Sequence, residues 1–233
     1  MKIYTYYEDV NFSKQNELIE LWKLSWSRQG FEPIVLNRDD AKKFKHYNRY
    51  YDFIQEVHQK SKGLPLPDIN YHMAAQLEIA AFATIEEPSF FSDYDIINVG
   101  FKTFNVESKV SWRDKACTCF ASGDSLGWYN YINFLFENKN KIIEYCNSIK
   151  GRNFFHDQDF LIPIYDLGIK NGVFNGHRNQ FTCKSWFPNN PANKQITLYH
   201  VSHDNIAKLK KDYKYQHKHR EDLRVDIAKM LLK

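Results

Sequence analysis

The first 41 residues alternate between strand and helix patterns, and no other feature constrains the fold as much. Ile3 to Tyr7 reads as a strand. Ser13 is positioned to cap a helix in which Leu18, Ile19, Leu21, Trp22 and Trp26 recur at helical spacing, and Gly30 closes it. Phe31 to Leu36 forms a second short strand, and Asp39-Asp40-Ala41 opens a second helix. Strands joined by crossover helices pair in parallel, so this opening implies an α/β sheet with helices on its faces. Ligands of such sheets bind outside the carboxyl ends of the strands.

Further along, Phe44 to Lys60 has helical, aromatic-rich spacing, and Gly63-Leu64-Pro65-Leu66-Pro67 is a loop. Asn70 caps a helix whose inward stripe is Met73, Ala74, Leu77, Ala80, Ala81 and Phe82. Pro88 then introduces the run Phe90-Phe91-Ser92-Asp93-Tyr94-Asp95-Ile96-Ile97. Side chains at i and i+2 of an extended chain point the same way, so Asp93 and Asp95 converge. Two carboxylates side by side repel, and a divalent cation is the simplest group that neutralises both. A strand from Ala116 to Ala121 ends in the turn Ser122-Gly123-Asp124, followed by helices over Gly127–Asn138 and Lys139–Ser148. The polar run His156-Asp157-Gln158-Asp159 precedes Phe160-Leu161, and the last clear strand is Gln195 to His200. We read residues 1–203 as one catalytic domain and 204–233 as its basic helical extension.

Composition narrows the function. The chain has 18 Phe, 15 Tyr and 5 Trp, which excludes disorder and suits a site lined with flat rings. The net charge of +4 lies largely in Lys208, Lys210, Lys211, Lys214, Lys218 and Arg220, so the rest gives no basic field for nucleic acid. That basic segment reads first as a solvated helix face and second as a peripheral contact with anionic lipid. Cys117, Cys119, Cys146 and Cys183 lack the spacing of a zinc or redox motif and are read as reduced thiols. No apolar stretch approaches the roughly 20 residues that span a bilayer. The expected setting is the cytoplasm, with membrane contact at most peripheral.

Taken in order, these segments resemble the nucleotide-sugar-dependent glycosyltransferases of the GT-A fold. Phe91-Ser92-Asp93-Tyr94-Asp95 carries their Asp-x-Asp motif. Leu21-Trp22-Lys23-Leu24-Ser25-Trp26 with Gly30-Phe31-Glu32-Pro33 resembles the opening of small capsule-type and surface-glycan transferases. His156-Asp157-Gln158-Asp159-Phe160-Leu161 is similar to the Asp-Gln-Asp segment of glycogenin-like and lipopolysaccharide galactosyltransferases. Leu198-Tyr199-His200-Val201-Ser202-His203 resembles the late strand whose histidine closes the metal site.

The resemblance implies a Rossmann-like, mixed and mostly parallel sheet flanked by helices. It assigns Tyr4, Thr5 and Tyr6, with Asp93, Tyr94 and Asp95, to the nucleotide sugar. Mn²⁺ or Mg²⁺ would sit on Asp93, Asp95 and His200, with His203 as the competing ligand. Asp157, Gln158 and Asp159 fall at the reacting centre, and Ser122, Gly123, Asp124 and Trp128 face the acceptor. The implied reaction moves a sugar from a nucleotide diphosphate donor, UDP-sugar first, to a glycan or glycolipid. A divalent ion suits it, because the departing diphosphate gains negative charge. Asp95→Ala is then expected to abolish metal-dependent donor binding and leave the fold intact.

One departure stands out. The segment after His200 lacks the glycine and Lys-Pro-Trp of the glycogenin-like pattern, which leaves Arg178, Lys184 and Lys194 as candidates for the cation that faces the diphosphate. Two other functions fit the same residues. One is an inactive nucleotide-sugar or glycan-binding module; the other is a metal-dependent phosphoesterase built on Asp93, Asp95, His200 and His203.

Overall fold

In the computed structural model, residues 1–10, 14–102, 105–114, 117–152, 154–176, 183–185, 197–202 and 219–233 are described, with backbone only for 113, 114, 117 and 183–185. The opening alternation appears as β1 (Lys2–Tyr6), α1 (Gln15–Ser27), β2 (Glu32–Leu36) and the short α2 (Arg38–Lys42). Ser13 lies outside the described residues, and Lys14 occupies the N-cap of α1 without a side-chain cap. Gly30 follows α1 at φ 84°, a left-handed turn that a glycine adopts without strain. Asn37 caps α2, with its side chain accepting from Asp39 N and Asp40 N.

Two longer helices follow, α3 (Tyr47–Lys62) and α4 (Tyr71–Phe82). Asn70 Oδ1 accepts from His72 N at 2.8 Å, so α4 starts where its sequence signal lies. Met73, Ala74, Leu77, Ala80, Ala81 and Phe82 are all buried, as the stripe predicts. Phe82 packs on Phe91 and Trp128, with ring centroids 4.4 and 5.4 Å away.

The chain then forms β3 (Ser89–Ser92), β4 (Ile96–Asn98), β5 (Ser111–Asp114) and β6 (Cys117–Gly123). Helices α5 (Ser125–Glu137), α6 (Lys139–Ser148), α7 (Asp157–Leu161) and α8 (Tyr165–Lys170) come next. Strands β7 (Asn175–Gly176), β8 (Cys183–Ser185) and β9 (Leu198–His200) precede the last helix, α9 (Arg220–Leu231). The main sheet has six strands in the order β2-β1-β3-β6-β5-β7, and β4-β9-β8 form a smaller one. Strand β1 pairs in parallel with both β2 and β3, whereas β6 runs antiparallel to β3 and β5. The architecture is α/β with a mixed sheet flanked by helices.

This strand order fixes where a ligand can enter. From β1 the chain moves outward to β2, then returns to place β3 on the other side of β1. The crevice between the carboxyl ends of β1 and β3 is therefore a topological switch point, where neighbouring crossovers leave to opposite faces. The acidic run begins one residue past the end of β3, at that crevice.

Helix α1 holds the run in place from one side. Trp22 Nε1 donates to Ser92 Oγ at 2.9 Å, just before Asp93, and Trp26 Nε1 donates to the Ile96 carbonyl at 3.2 Å, just after Asp95. Both indoles are fully buried, so each N–H has to be satisfied inside the protein, and the two bonds bracket the acidic turn. Gln15 Nε2 adds a third tie, to the Tyr94 hydroxyl at 2.7 Å.

The C-terminal extension is described only in part. Its lysines at 208, 210, 211, 214 and 218 lie outside the described residues. The described part, α9, balances Arg220, Arg224 and Lys229 against Glu221, Asp222 and Asp226, so it carries no basic excess. Leu223, Ile227 and Ala228 pack with Leu18 of α1, Ile97 and Val201. Lys229 Nζ pairs with Glu17 Oε1 at 2.6 Å. Among the described residues, no helix is long and apolar enough to cross a membrane. Cys119 and Cys146 are buried, and neither forms a disulfide.

Candidate functional site

A small cleft, with about 70 Å³ of free volume, opens at the switch point. The end of β1 contributes Tyr6, Tyr7 and Glu8; α4 contributes Tyr71, Ala74, Ala75 and Glu78; the acidic turn contributes Asp93, Tyr94 and Asp95. Asp157 at the start of α7 and Arg224 from α9 complete it, with Val10 and Gln15 at the margin. Tyr71, Ala74, Ala75 and Glu78 share one helix face at i, i+3, i+4 and i+7, and the two alanines leave the room between them. Four tyrosines therefore surround a floor of carboxylates. Tyr7 and Tyr94 meet edge to face at 6.0 Å.

At the floor, Asp93, Asp95 and His200 bring one ligand atom each to within 4.8 Å of one another. Asp95 is the best anchored. Its backbone carbonyl accepts from Val201 N at 2.9 Å, its Oδ1 lies 3.2 Å from His200 Nε2, and its Oδ2 accepts from Arg224 Nη2 at 2.8 Å. Asp93 is fixed through its backbone N, which donates to the Cys119 carbonyl at 3.0 Å. The antiparallel β4–β9 pairing sets Ile96 opposite His200, which carries the imidazole to the turn.

The electrostatics match a site short of positive charge. Burial, and then the neighbouring Asp95 charge, push Asp93 up to about 7. Burial also pushes Glu78 well above the usual carboxylate range, with Asp157 and Asp93 adding to the effect. Asp157 is raised by burial as well, against the pull of a hydrogen bond from Thr118. Burial disfavours the charged form of His200, but Asp95 and Cys119 beside it outweigh this and hold its imidazole well above the ordinary value. Two carboxylates and an imidazole form a donor set of hard oxygens and one nitrogen. That set fits Mn²⁺ well and also accommodates Mg²⁺.

The sequence-predicted residues divide into two groups. Asp93, Tyr94, Asp95, Asp157, His200 and Tyr6 meet at or beside the cleft. Tyr4 and Thr5 are buried within β1: Tyr4 stacks on Phe91 at 5.7 Å, and it is Tyr6 and Tyr7 that line the cleft. Asp159 faces away. Its Oδ2 accepts from His156 N at 2.8 Å and its Oδ1 pairs with Arg152 at 2.8 Å, so this carboxylate closes the start of α7. Gln158 is half-buried on α7 and does not line the cleft.

The residues expected at the acceptor lie away from the acidic turn. Strand β6 runs antiparallel to β3, with Gly123 opposite Ser89 and Phe120 opposite Ser92. Ser122, Gly123 and Asp124 thus lie roughly 10 Å along the strand from the acidic end, at about 3.3 Å per residue. Asp124 caps α5 by accepting from Gly127 N at 2.9 Å, and Trp128 is fully buried against Phe91 and Trp112. His203, Arg178 and Lys194 lie outside the described residues, as does the Lys184 side chain.

Sequence reading missed much of the cleft wall, including Tyr7, Tyr71, Glu78 and Arg224. Glu78 had a visible signal, since it is the only Asp, Glu, Lys or Arg in the helix Tyr71–Phe82. Arg224 had a weaker one, a cation between Leu223 and Ile227 on an apolar stripe. Compared with family models, curated proteins and solved structures, the chain matches none.

Proposed function

We propose that the chain is a metal-dependent glycosyltransferase of GT-A type, acting on a nucleotide diphosphate sugar. The observation that carries the reading is the convergence of Asp93, Asp95 and His200 at a switch-point cleft walled by Tyr6, Tyr7, Tyr71 and Tyr94. Tyrosine faces suit a nucleobase and the rings of a sugar. When bound, a divalent cation would be held by Asp93, Asp95 and His200 and would supply charge stabilisation for the departing diphosphate.

The remaining chemistry belongs to the chain itself. Glu78 and Asp157 both line the cleft, and burial raises both above the ordinary carboxylate range, the direction that suits a proton-exchanging group. Either can take the proton of an acceptor hydroxyl, and the other then stays protonated and donates to the sugar. Asp159 has no part in this, because its two oxygens are engaged by His156 N and Arg152.

The direct test follows nucleotide release from a panel of UDP-sugars with and without Mn²⁺, in wild type and Asp93→Asn. The reading expects release only with metal and at least tenfold slower release in the variant. Release indifferent to both chelation and the substitution would remove the cluster from the mechanism. Cleavage of a simple phosphodiester in place of the sugar nucleotide would favour a phosphoesterase.

A further inference from the structure

Arg224 is 1% exposed, and all three nitrogens of its guanidinium are engaged. Nε donates to the Val201 carbonyl at 2.9 Å, Nη1 to Glu221 Oε2 at 3.0 Å, and Nη2 to Asp95 Oδ2 at 2.8 Å. The planar fork fits this arrangement, and a flexible ammonium could not make all three bonds. Helix α9 is itself fixed to α1 through Leu223, Ile227 and the Lys229–Glu17 pair, so the cation cannot withdraw without undocking the helix. Its position is equally telling, since Arg224 lines the same cleft as Asp93, Asp95 and Glu78. Among the described residues, it is the only Lys or Arg that does.

We propose that Arg224 is a positioning residue that couples cation binding at Asp93, Asp95 and His200 to binding of the anionic nucleotide. The proposal rests on the glycosyltransferase reading and deepens it. A divalent ion at the cluster sits one carboxylate away from a fixed positive charge, because Asp95 offers Oδ1 toward His200 and Oδ2 toward Arg224. Like charges held that close repel strongly, even at the effective dielectric of a protein surface. The free ion is therefore held weakly. A diphosphate would reverse the balance, because its negative charge would be attracted by the ion and the guanidinium together. Metal and nucleotide each then raise the affinity for the other, and the two factors must be equal.

Two further consequences follow from the same bonds. Arg224 fixes one oxygen of Asp95, which orients the other toward His200. Glu221 partly offsets the guanidinium charge from outside the cleft, so it tunes the repulsion without touching the ligand.

Isothermal titration of the full chain with Mn²⁺ alone, UDP alone, and Mn²⁺ at saturating UDP tests this in wild type, Arg224→Gln and Glu221→Gln. Arg224→Gln should bind Mn²⁺ alone at least about tenfold tighter, by the Coulomb argument above, and should lose most of the enhancement that UDP gives. Glu221→Gln should move the other way, with weaker Mn²⁺ binding and UDP coupling retained. A purely structural role predicts that Arg224→Gln weakens both ligands together. Either that result or unchanged Mn²⁺ affinity with intact coupling overturns the proposal. If Arg224→Gln does not fold, the Glu221→Gln titration alone decides, and unchanged Mn²⁺ affinity there overturns it. Failure of the functional reading looks different, since wild type would then show no Mn²⁺ binding that Asp93→Asn removes.

Discussion

Asp95→Ala should destabilise the protein as well as empty the site, which revises the expectation from the acidic motif alone. The structure makes Asp95 the partner of Arg224, at 2.8 Å, with the guanidinium 1% exposed. Removing one member of a buried ion pair typically costs about 3–5 kcal/mol, because the other charge is left uncompensated. Here Arg224 keeps Glu221 at 3.0 Å and the Val201 carbonyl at 2.9 Å, so the loss should fall to about 2–4 kcal/mol. For a chain of this size that corresponds to a fall in Tm of roughly 4–16 °C. Asp95→Asn keeps an oxygen for Arg224 and the side-chain volume, and should lose less than half as much. The assay is urea unfolding in chelator, with linear extrapolation, on wild type, Asp95→Ala, Arg224→Met and the double variant. The pair should show a coupling energy of about 1–3 kcal/mol. A cycle that closes to zero, or an Asp95→Ala variant as stable as wild type, would refute the buried pair.

Three other substitutions separate structural from chemical carboxylates and test a half-buried imidazole. Asp159→Ala should lose about 2–3 kcal/mol through the Arg152 pair and the α7 cap, with Mn²⁺ affinity unchanged in calorimetry; altered metal binding would return Asp159 to the site. Glu78→Gln should do the reverse. Folding raises the Glu78 pKa, so ionisation near neutral pH works against the folded state, and the amide should raise Tm at pH 8 while turnover falls at least about tenfold. A lower Tm with full turnover would contradict both halves. His72, stacked on Phe154 at 3.9 Å, is lowered by burial from 6.5 to about 4. Its folded pKa lies below the unfolded one, so the stability it contributes is complete above pH 6.5 and lost as pH falls toward 4. With its partial exposure discounted, that is about 1–2 kcal/mol. Wild type minus His72→Phe should show this slope in chemical denaturation across pH 4–6.5, and a flat difference would contradict it.

Much of the site was legible because its signals are local. Asn70 and the small-residue stripe define α4 within 13 residues. The Trp22 and Trp26 spacing marks the face of α1 that reaches the acidic turn, and the Asp93–Asp95 alternation follows from strand geometry alone. His200 could be placed because an apolar strand ends on it. What could not be read depends on pairing between distant segments. The turn expected at the acceptor shows this: Ser122, Gly123 and Asp124 end a real strand, but its antiparallel register against β3 sets them beside the start of β3, away from the acidic turn. Arg224 meets Asp95 across 129 residues, and no local pattern records that contact. Asp157 and Asp159 look equivalent in sequence. The start of a helix one residue after His156 sends one into the cleft and the other back onto the backbone.

The central claim is that the tyrosine-walled acidic cleft binds a nucleoside diphosphate through a divalent cation. Thermal unfolding of the chain with UDP, GDP, CMP and dTDP, each with Mn²⁺ or with chelator, tests it most directly. The account predicts stabilisation by a nucleoside diphosphate, UDP above all, only when Mn²⁺ is present, and no such shift in Asp93→Asn. Stabilisation that ignores Mn²⁺, or no shift with any nucleotide, would contradict it.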